Sequence, residues 1–357
     1  MESSNGEAQK AKVEAKSLYG QISGKKILFI FLVTFAIVVT LIVDVMTGPA
    51  ALSPAEVIST ILFPGASDQA LYVIVWTFRL PVALMALVIG AALGLAGAEM
   101  QTILNNPLAS PYTLGISSAA GFGAALVIVL GVGLIPFADS VLVPINAFIF
   151  SLVCCLLIYS IAKIKRASTE TIVLAGIAVL FLFDSLLALL EYVANPEQAQ
   201  AVMFWLFGSL TKTTWTSLGI VTLVLLVCLP LIMMDAWKLT TLRLGEEKAK
   251  SLGVNVEKMR LKGFIIVSLL TATAVAFVGT IGFIGLVVPH IARMLVGEDH
   301  RFFLPLSALA GALVLSVASI LSKAVVPGII FPIGILTSLI GIPFLLWLLF
   351  KQKRGYW

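Results

Sequence analysis

One stretch constrains this chain more than any other: Arg79 to Gly123, RLPVALMALVIGAALGLAGAEMQTILNNPLASPYTLGISSAAGFG. A cation beside a proline opens an apolar run of helical length that carries glycines at 90, 94 and 97. The run breaks at Asn105-Asn106-Pro107, turns through Ser110-Pro111, and starts a second glycine-spaced apolar run. A helix that is apolar on every face has no place on the surface of a water-soluble domain. In a bilayer it is the expected object: one helix crosses, small residues let neighbours approach, and a proline-bounded turn stands at the far surface. Composition extends the argument to the whole chain, since 60% of its residues are hydrophobic and 11% charged, against roughly half and a quarter in soluble domains. An all-α, polytopic membrane protein is expected.

Read in order, residues 1–25 form a polar tail with lysines at 10, 12, 16 and 25, disordered or lying on the membrane surface. The tail has no signal-peptide pattern, so the first span is expected to direct its own insertion. Spans follow at about 27–47, 80–104, 113–133, 142–162, 170–192 and 213–234. Between the first two, Ser53-Pro54-Ala55-Glu56 reads as a capped helix start. A short link through Pro136 and Asp139 precedes the fourth span, which stops at Lys163, Lys165 and Arg166. Residues 194–210 read as a polar turn and a short surface helix. The apolar block 263–296 is too long for one span, and Gly279, Gly282 and Gly285 mark a hinge that divides it in two, with Pro289 behind them. Two more spans, at about 304–324 and 334–350, bring the count to ten.

The basic residues test that topology. With the N-terminus inside, twenty of the 23 Lys and Arg fall in inside segments, leaving only Arg79, Lys212 and Lys323 outside. Both termini are therefore expected in the cytoplasm, in a multi-pass plasma (inner) membrane protein. The net charge of +5 then faces anionic lipid, and no nucleic-acid partner is expected. Cys154, Cys155 and Cys228 lie inside apolar runs without a CxxC or Cys/His cluster, so they read as small buried hydrophobes. No metal site, cofactor or catalytic residue is expected.

RLP at 79–81, GAALGLAGAEMQ at 90–101, NNPLASPYTLGIS at 105–117, LGEEKAKSLG at 244–253, GFIGLVVPHIARMLVGEDHRFFLPLSALAGA at 282–312 and PIGILTSLIGIPFLLWLL at 332–349 together resemble the permease subunits of ABC importers for iron–siderophore complexes, haem and vitamin B12, the FecCD-like transport family. The resemblance implies a vitamin B12 importer permease-like fold of about ten helices, paired with a second permease subunit as a homo- or heterodimer. It also implies cytoplasmic ABC ATPase subunits beneath, an extracytoplasmic substrate-binding protein outside, and a metal-chelate cargo moved by alternating access. ATP hydrolysis would belong to the partner, and the chain has no GxxxxGK[ST] phosphate loop. The organisation expected is a tail at 1–25, a permease domain at 26–351 holding the coupling segment 244–253, and a tail at 352–357.

Within that frame the residues divide into roles. Leu244, Gly245, Ala249, Leu252 and Gly253 recur at roughly helical spacing in a mixed-charge segment, and the resemblance makes them the seat of the ATPase. Otherwise they belong to an ordinary solvated loop helix. Arg79 and Lys323 stand at outer span ends, where the family docks its binding protein; the alternative is a pair of snorkelling side chains. The sequence departs from the family pattern there, with Val82 in place of a common arginine, Lys323 in place of another, and Phe331 in place of a glutamate. Gly90, Gly94, Gly97, Gly282 and Gly285, with Asn106, Pro107 and Pro289, are expected to serve helix packing or gating. Glu99 and Asp184 lie within spans and each needs a partner or a water-lined surface. His290 and His300 raise haem ligation, but both fall near the inner end of a span within family motifs. Met203, Phe204, Trp205, Phe207 and Trp215 either line an outer pathway or form an interfacial belt. The rival class is an ion-driven secondary transporter, which would need embedded ion ligands and usually an internal repeat. Cargo alternatives are haem, cobalamin and molybdate.

Overall fold

The computed structural model describes residues 2–50, 52–66, 68–132, 139–165, 168–326 and 328–351. Pro136, Arg166 and the basic end at 352–354 lie outside the described residues, as do the side chains of Lys10, Lys12 and Lys16. Fifteen α-helices are described: α1 (Glu2–Met46), α2 (Pro54–Leu62), α3 (Gln69–Tyr72), α4 (Leu80–Ile103), α5 (Ile116–Leu130), α6 (Asp139–Ile164), α7 (Thr169–Val193), α8 (Pro196–Leu206), α9 (Trp215–Met233), α10 (Ala236–Leu242), α11 (Glu246–Ser251), α12 (Val256–Val278), α13 (Ile284–Val296), α14 (His300–Ala324) and α15 (Ile333–Lys351). Seven stretches are long and apolar enough to cross a membrane, and α5, α13 and α15 are shorter apolar helices. The architecture is the expected all-helical one.

The tail does not stay apart from the first span: α1 runs through both without a break. Ser53 caps α2 as its sequence predicts, its hydroxyl accepting from Glu56 N while Glu56 Oε2 accepts from Ser53 N at 2.7 Å. The second span starts earlier than its apolar run, because α3 and a π-helical turn at Val73–Arg79 lead into α4.

α4 is the axis of the bundle. It packs most extensively on α14, then on α12, α13 and α9. Glycine makes those approaches possible. A Cβ on Gly90 would overlap the Gly311 carbonyl, one on Gly311 would overlap that of Gly90, and one on Gly94 would overlap the Ser307 carbonyl. At Gly97 the neighbour is the carbonyl of Gly285 in α13. Pro289, four residues later, has no N–H to satisfy that oxygen, so the carbonyl is left to meet the Gly97 backbone.

The 263–296 block breaks where expected: α12 ends at Val278 and α13 begins at Ile284. The hinge glycines differ from expectation. Gly279 has φ +72 and abuts the Trp205 carbonyl, while Gly282 has open space around it and no left-handed φ. The bend belongs to Gly279 and to Phe283, an aromatic residue at φ +67.

Candidate functional site

Residues 235–262 build a charged clamp at the basic end of the bundle. α10 and α11 are short, and between them Gly245 takes φ +102 and Gly253 closes the segment at φ +83. Nothing lies within 4 Å of either absent Cβ, so these glycines serve the turns and not a close approach. Ala249 is fully buried among Leu242, Val254 and Val256. Ala249 faces the chain's own core, because α11 folds back onto α12, and the exposed apolar residues are Leu244 at 56% and Leu252 at 61%.

The clamp is fastened by ions and hydrogen bonds to the ends of four helices. Glu246 pairs with Lys250 at 2.8 Å and Arg260 at 3.0 Å, and Arg260 Nε donates to the Ile103 carbonyl ending α4 at 3.0 Å. Arg243 holds Glu298 with Nε and Nη2, each at 3.0 Å, and donates to Asn105 Oδ1 at 2.8 Å. Arg293 pairs with the same Glu298 at 2.9 Å and reaches Gln101 at 3.2 Å. Asp235 binds Lys238 at 2.7 Å and also Lys262. His300 is buried between Thr102 (Nε2 at 2.8 Å) and the Glu298 carbonyl (Nδ1 at 3.0 Å), with Thr240 3.2 Å from Nδ1. Both ring nitrogens thus have partners within the chain, which leaves the haem-ligand reading of His300 without a free atom. His290 is half-buried, and among the described residues no metal-binding cluster forms.

At the opposite end the two expected docking cations are turned inward. Arg79, 9% exposed, donates from Nη1 to the carbonyls of Val45 and Met46, both at 2.9 Å, and from Nη2 to that of Ala50. The first two are orphaned acceptors at the C-terminus of α1, where a cation suits the helix dipole, and the third lies in the turn that follows. Lys323 pairs with buried Asp44 and donates to its carbonyl at 3.1 Å. Within this chain both side chains tie α1 to its neighbours. A cavity of about 400 Å³ lies beside them, lined by Phe78, Val82, Ser209, Thr211 and Phe331 among others.

The remaining candidates scatter. Glu99 is buried on α4 against Gly263, with Oε2 unpartnered among the described residues. Asp184 is exposed midway along α7. Phe204 and Phe207 meet edge-on at 6.4 Å, whereas Trp215 stacks near Trp76 at 5.9 Å and donates to its carbonyl at 2.9 Å. Asn106 Oδ1 accepts from Leu108 N at 2.9 Å and shapes the turn through Pro107. Sequence reasoning missed Asp44, Glu298, Gly208, Gly334 and Tyr112. Only Asp44 carried a signal, as an acid in an apolar span.

Seven long apolar helices and three shorter ones, closed at one end by an ionic clamp, define a polytopic membrane protein. The chain belongs to the FecCD transport family, which matches residues 36–351, and it is an ABC-importer permease of that family. It is 36% identical over 314 residues to a hemin transport system permease protein of Yersinia pestis, covering 88% of this chain and 94% of that one. It is 34% identical over 335 residues to a molybdate import system permease protein of Haemophilus influenzae, covering 91% and 96%. A solved inward-facing structure assigned to the metal-chelate type of ABC transporter superposes with a TM-score of 0.80 at 30% identity, covering 90% of this chain and 99% of that one.

Proposed function

We propose that this chain is the permease of an ATP-driven importer for a metal-chelate complex, an iron–siderophore complex in the first place, with residues 235–254 seated on a separate cytoplasmic ATPase. The observation that carries the reading is the two-sided clamp. Leu244 and Leu252 are exposed on one side, while Arg243, Glu246 and Arg260 bind the other side to α4, α12 and the α13–α14 turn. A displacement applied to the exposed leucines reaches helix ends through short contacts. The basic end is then cytoplasmic, with both termini on that side. A substrate-binding protein delivers cargo at the opposite face. A second permease copy completes the pathway, which gives Asp184 a water-lined surface in place of lipid.

Uptake into proteoliposomes containing permease, ATPase and binding protein, supplied in turn with ferric siderophore, haem, cobalamin and molybdate, tests the reading. ATP-dependent accumulation is expected for one of them. Leu244→Asp with Leu252→Asp should lower it by about tenfold or more, since exposed apolar anchors dominate such seats, without reducing permease recovered from the membrane. Accumulation that ignores the ATPase and follows an imposed ion gradient would instead make the chain a secondary transporter.

A further inference from the structure

The connection between α4 and α5 is not the surface turn its prolines suggest. It starts at Asn105, held by Arg243, and proceeds through an Asx turn at Asn106 and a cap at Ser110, whose carbonyl accepts from Thr113 Oγ1 at 2.7 Å. A 3-10 turn at Pro111–Leu114 follows, then Gly115 at φ +81, whose absent Cβ would lie 2.7 Å from Leu180 Cα. Leu180 is eleven residues into α7, so the segment climbs about 16 Å into the bundle at 1.5 Å per residue. Along that climb every turn has its own hydrogen bond. The segment is a strut.

Its upper end is Tyr112. The hydroxyl accepts from Ile281 N at 2.7 Å. Ile281 is fully buried and lies in the α12–α13 break, outside both helices, so its N–H has no helical acceptor and depends on this oxygen. The break is also the node where two other turns meet. Val278 O accepts from Ser209 N at 2.7 Å, and Thr280 Oγ1 donates to the Leu206 carbonyl at the end of α8. Phe207 O and Gly208 O accept from Gly334 N at 3.0 Å and Ile333 N at 3.2 Å at the start of α15. Gly208, Gly279 and Gly334 are bare where these backbones touch: a Cβ on any of them would collide with a carbonyl. Phe283, in its left-handed conformation, lodges against Gly341 of α15.

We propose that the Tyr112 hydroxyl is the positioning contact through which the cytoplasmic clamp sets the arrangement of the α12–α13 break, and with it the junction of α8 and α15. The inference rests on the reading that residues 235–254 receive the ATPase. It adds the route beyond it, from Arg243 through Asn105 and the strut to Ile281. Tyr112→Phe keeps the ring in its packing and removes only the acceptor, leaving Ile281 N–H buried and unpaired.

The test places a bimane on Ser251→Cys in one preparation of the full complex and on Thr211→Cys in another. Both positions are exposed, and the three native cysteines are buried. Emission is read before and after trapping with ATP and vanadate. In the unmodified background both probes are expected to shift. With Tyr112→Phe the shift at 251 should remain, while that at 211 should fall by about fivefold or more. A merely structural loss would lower both together. Asn105→Gly keeps the positive φ of that residue and drops its bond to Arg243, so it should give the same split if Tyr112→Phe fails to assemble. A shift at 211 that survives both substitutions overturns the proposal. Silence of both probes in the unmodified complex would instead bring down the ATPase-coupled reading itself.

Discussion

At the basic end Arg243, Glu298, Arg293 and Gln101 bind side chain to side chain, whereas at the opposite end Arg79 gives its guanidinium to the main-chain oxygens of Val45, Met46 and Ala50. The α8–α15 junction repeats the use of main-chain groups, with bonds from Ile333 N to Gly208 O and from Gly334 N to Phe207 O and, among the described residues, no ion pair; beside α1 a single buried pair, Lys323 with Asp44, is added. The difference is mechanical. Partly exposed ion pairs can exchange partners at little cost in free energy, so the inner end can adopt a second set of pairs while its helices stay folded. Buried carbonyls have few alternative donors, so the outer end keeps its shape and moves as a piece. A transporter that receives force at one face needs the first property there, and the second where a passage must be sealed.

The largest expected effect breaks the outer side of that contrast. Arg79→Met would leave two carbonyls at the end of α1 and a third in the turn after it without their charged donor, lowering stability by about 2–4 kcal/mol. Thermal unfolding of the purified permease in detergent would show it. Arg79→Lys should recover only part of the loss, because one ammonium cannot reproduce the guanidinium fork. Should Arg79→Met melt like the parent yet weaken binding-protein capture, the cation docks after all and the inward assignment is wrong.

How far this was readable beforehand differs between the two ends. The apolar runs located the seven long helices and the three shorter apolar ones, and the α12–α13 break followed from the length of the 263–296 block, because bilayer thickness and helix rise are local constraints. Helix α11 was readable from its charge pattern. Which side of it faces outward was not, since Ala249 is buried by Leu242, Val254 and Val256 through a fold-back that spacing alone does not reveal. For Arg79 the sequence showed only a cation at a span end, because its service to the end of α1 spans 33 and 34 residues of sequence. Gly90 and Gly94 were recognisable as packing residues, but their partners Gly311 and Ser307 are not adjacent in any pattern. The Tyr112–Ile281 bond, 169 residues apart, left no mark on the sequence.

A middle-sized effect tests whether the inner end is the adaptable one. Arg243→Gln, Glu298→Gln and the double variant should each stay within about 1 kcal/mol of the parent in thermal stability, since the Glu298 carboxylate is 41% exposed and screened. Cargo moved per ATP hydrolysed should nevertheless fall in each single variant, and the double should fall by less than the sum of the singles, because both break the shared Arg243–Glu298 contact. A large loss of stability would mean that the clamp is a rigid fastening like Arg79, and the contrast between the ends would collapse.

The smallest effect uses pH to sharpen the same contrast. The hydrogen bond from Lys250, opposed by partial burial and aided by Arg260, holds the Glu246 carboxyl below its ordinary 4.5. At Asp235, burial alone would raise the value, but the bonds and charges of Lys238 and Lys262 outweigh it and leave the carboxyl below its ordinary 3.8. In both cases the folded form holds its proton less tightly than the unfolded chain. The stabilisation is therefore complete above the ordinary values and fades as pH falls through the lower, folded ones. A spin label on Ser251→Cys should report constant mobility from pH 7 down to about 5, then loosen progressively below about 4.5. Glu246→Gln should loosen it already at pH 7 and shrink the acid step, whereas the Arg79 tie, built from carbonyls, contributes no carboxylate to such a step. An acid step of full size in Glu246→Gln would assign it to Asp235 and remove α11 from the adaptable part of the clamp.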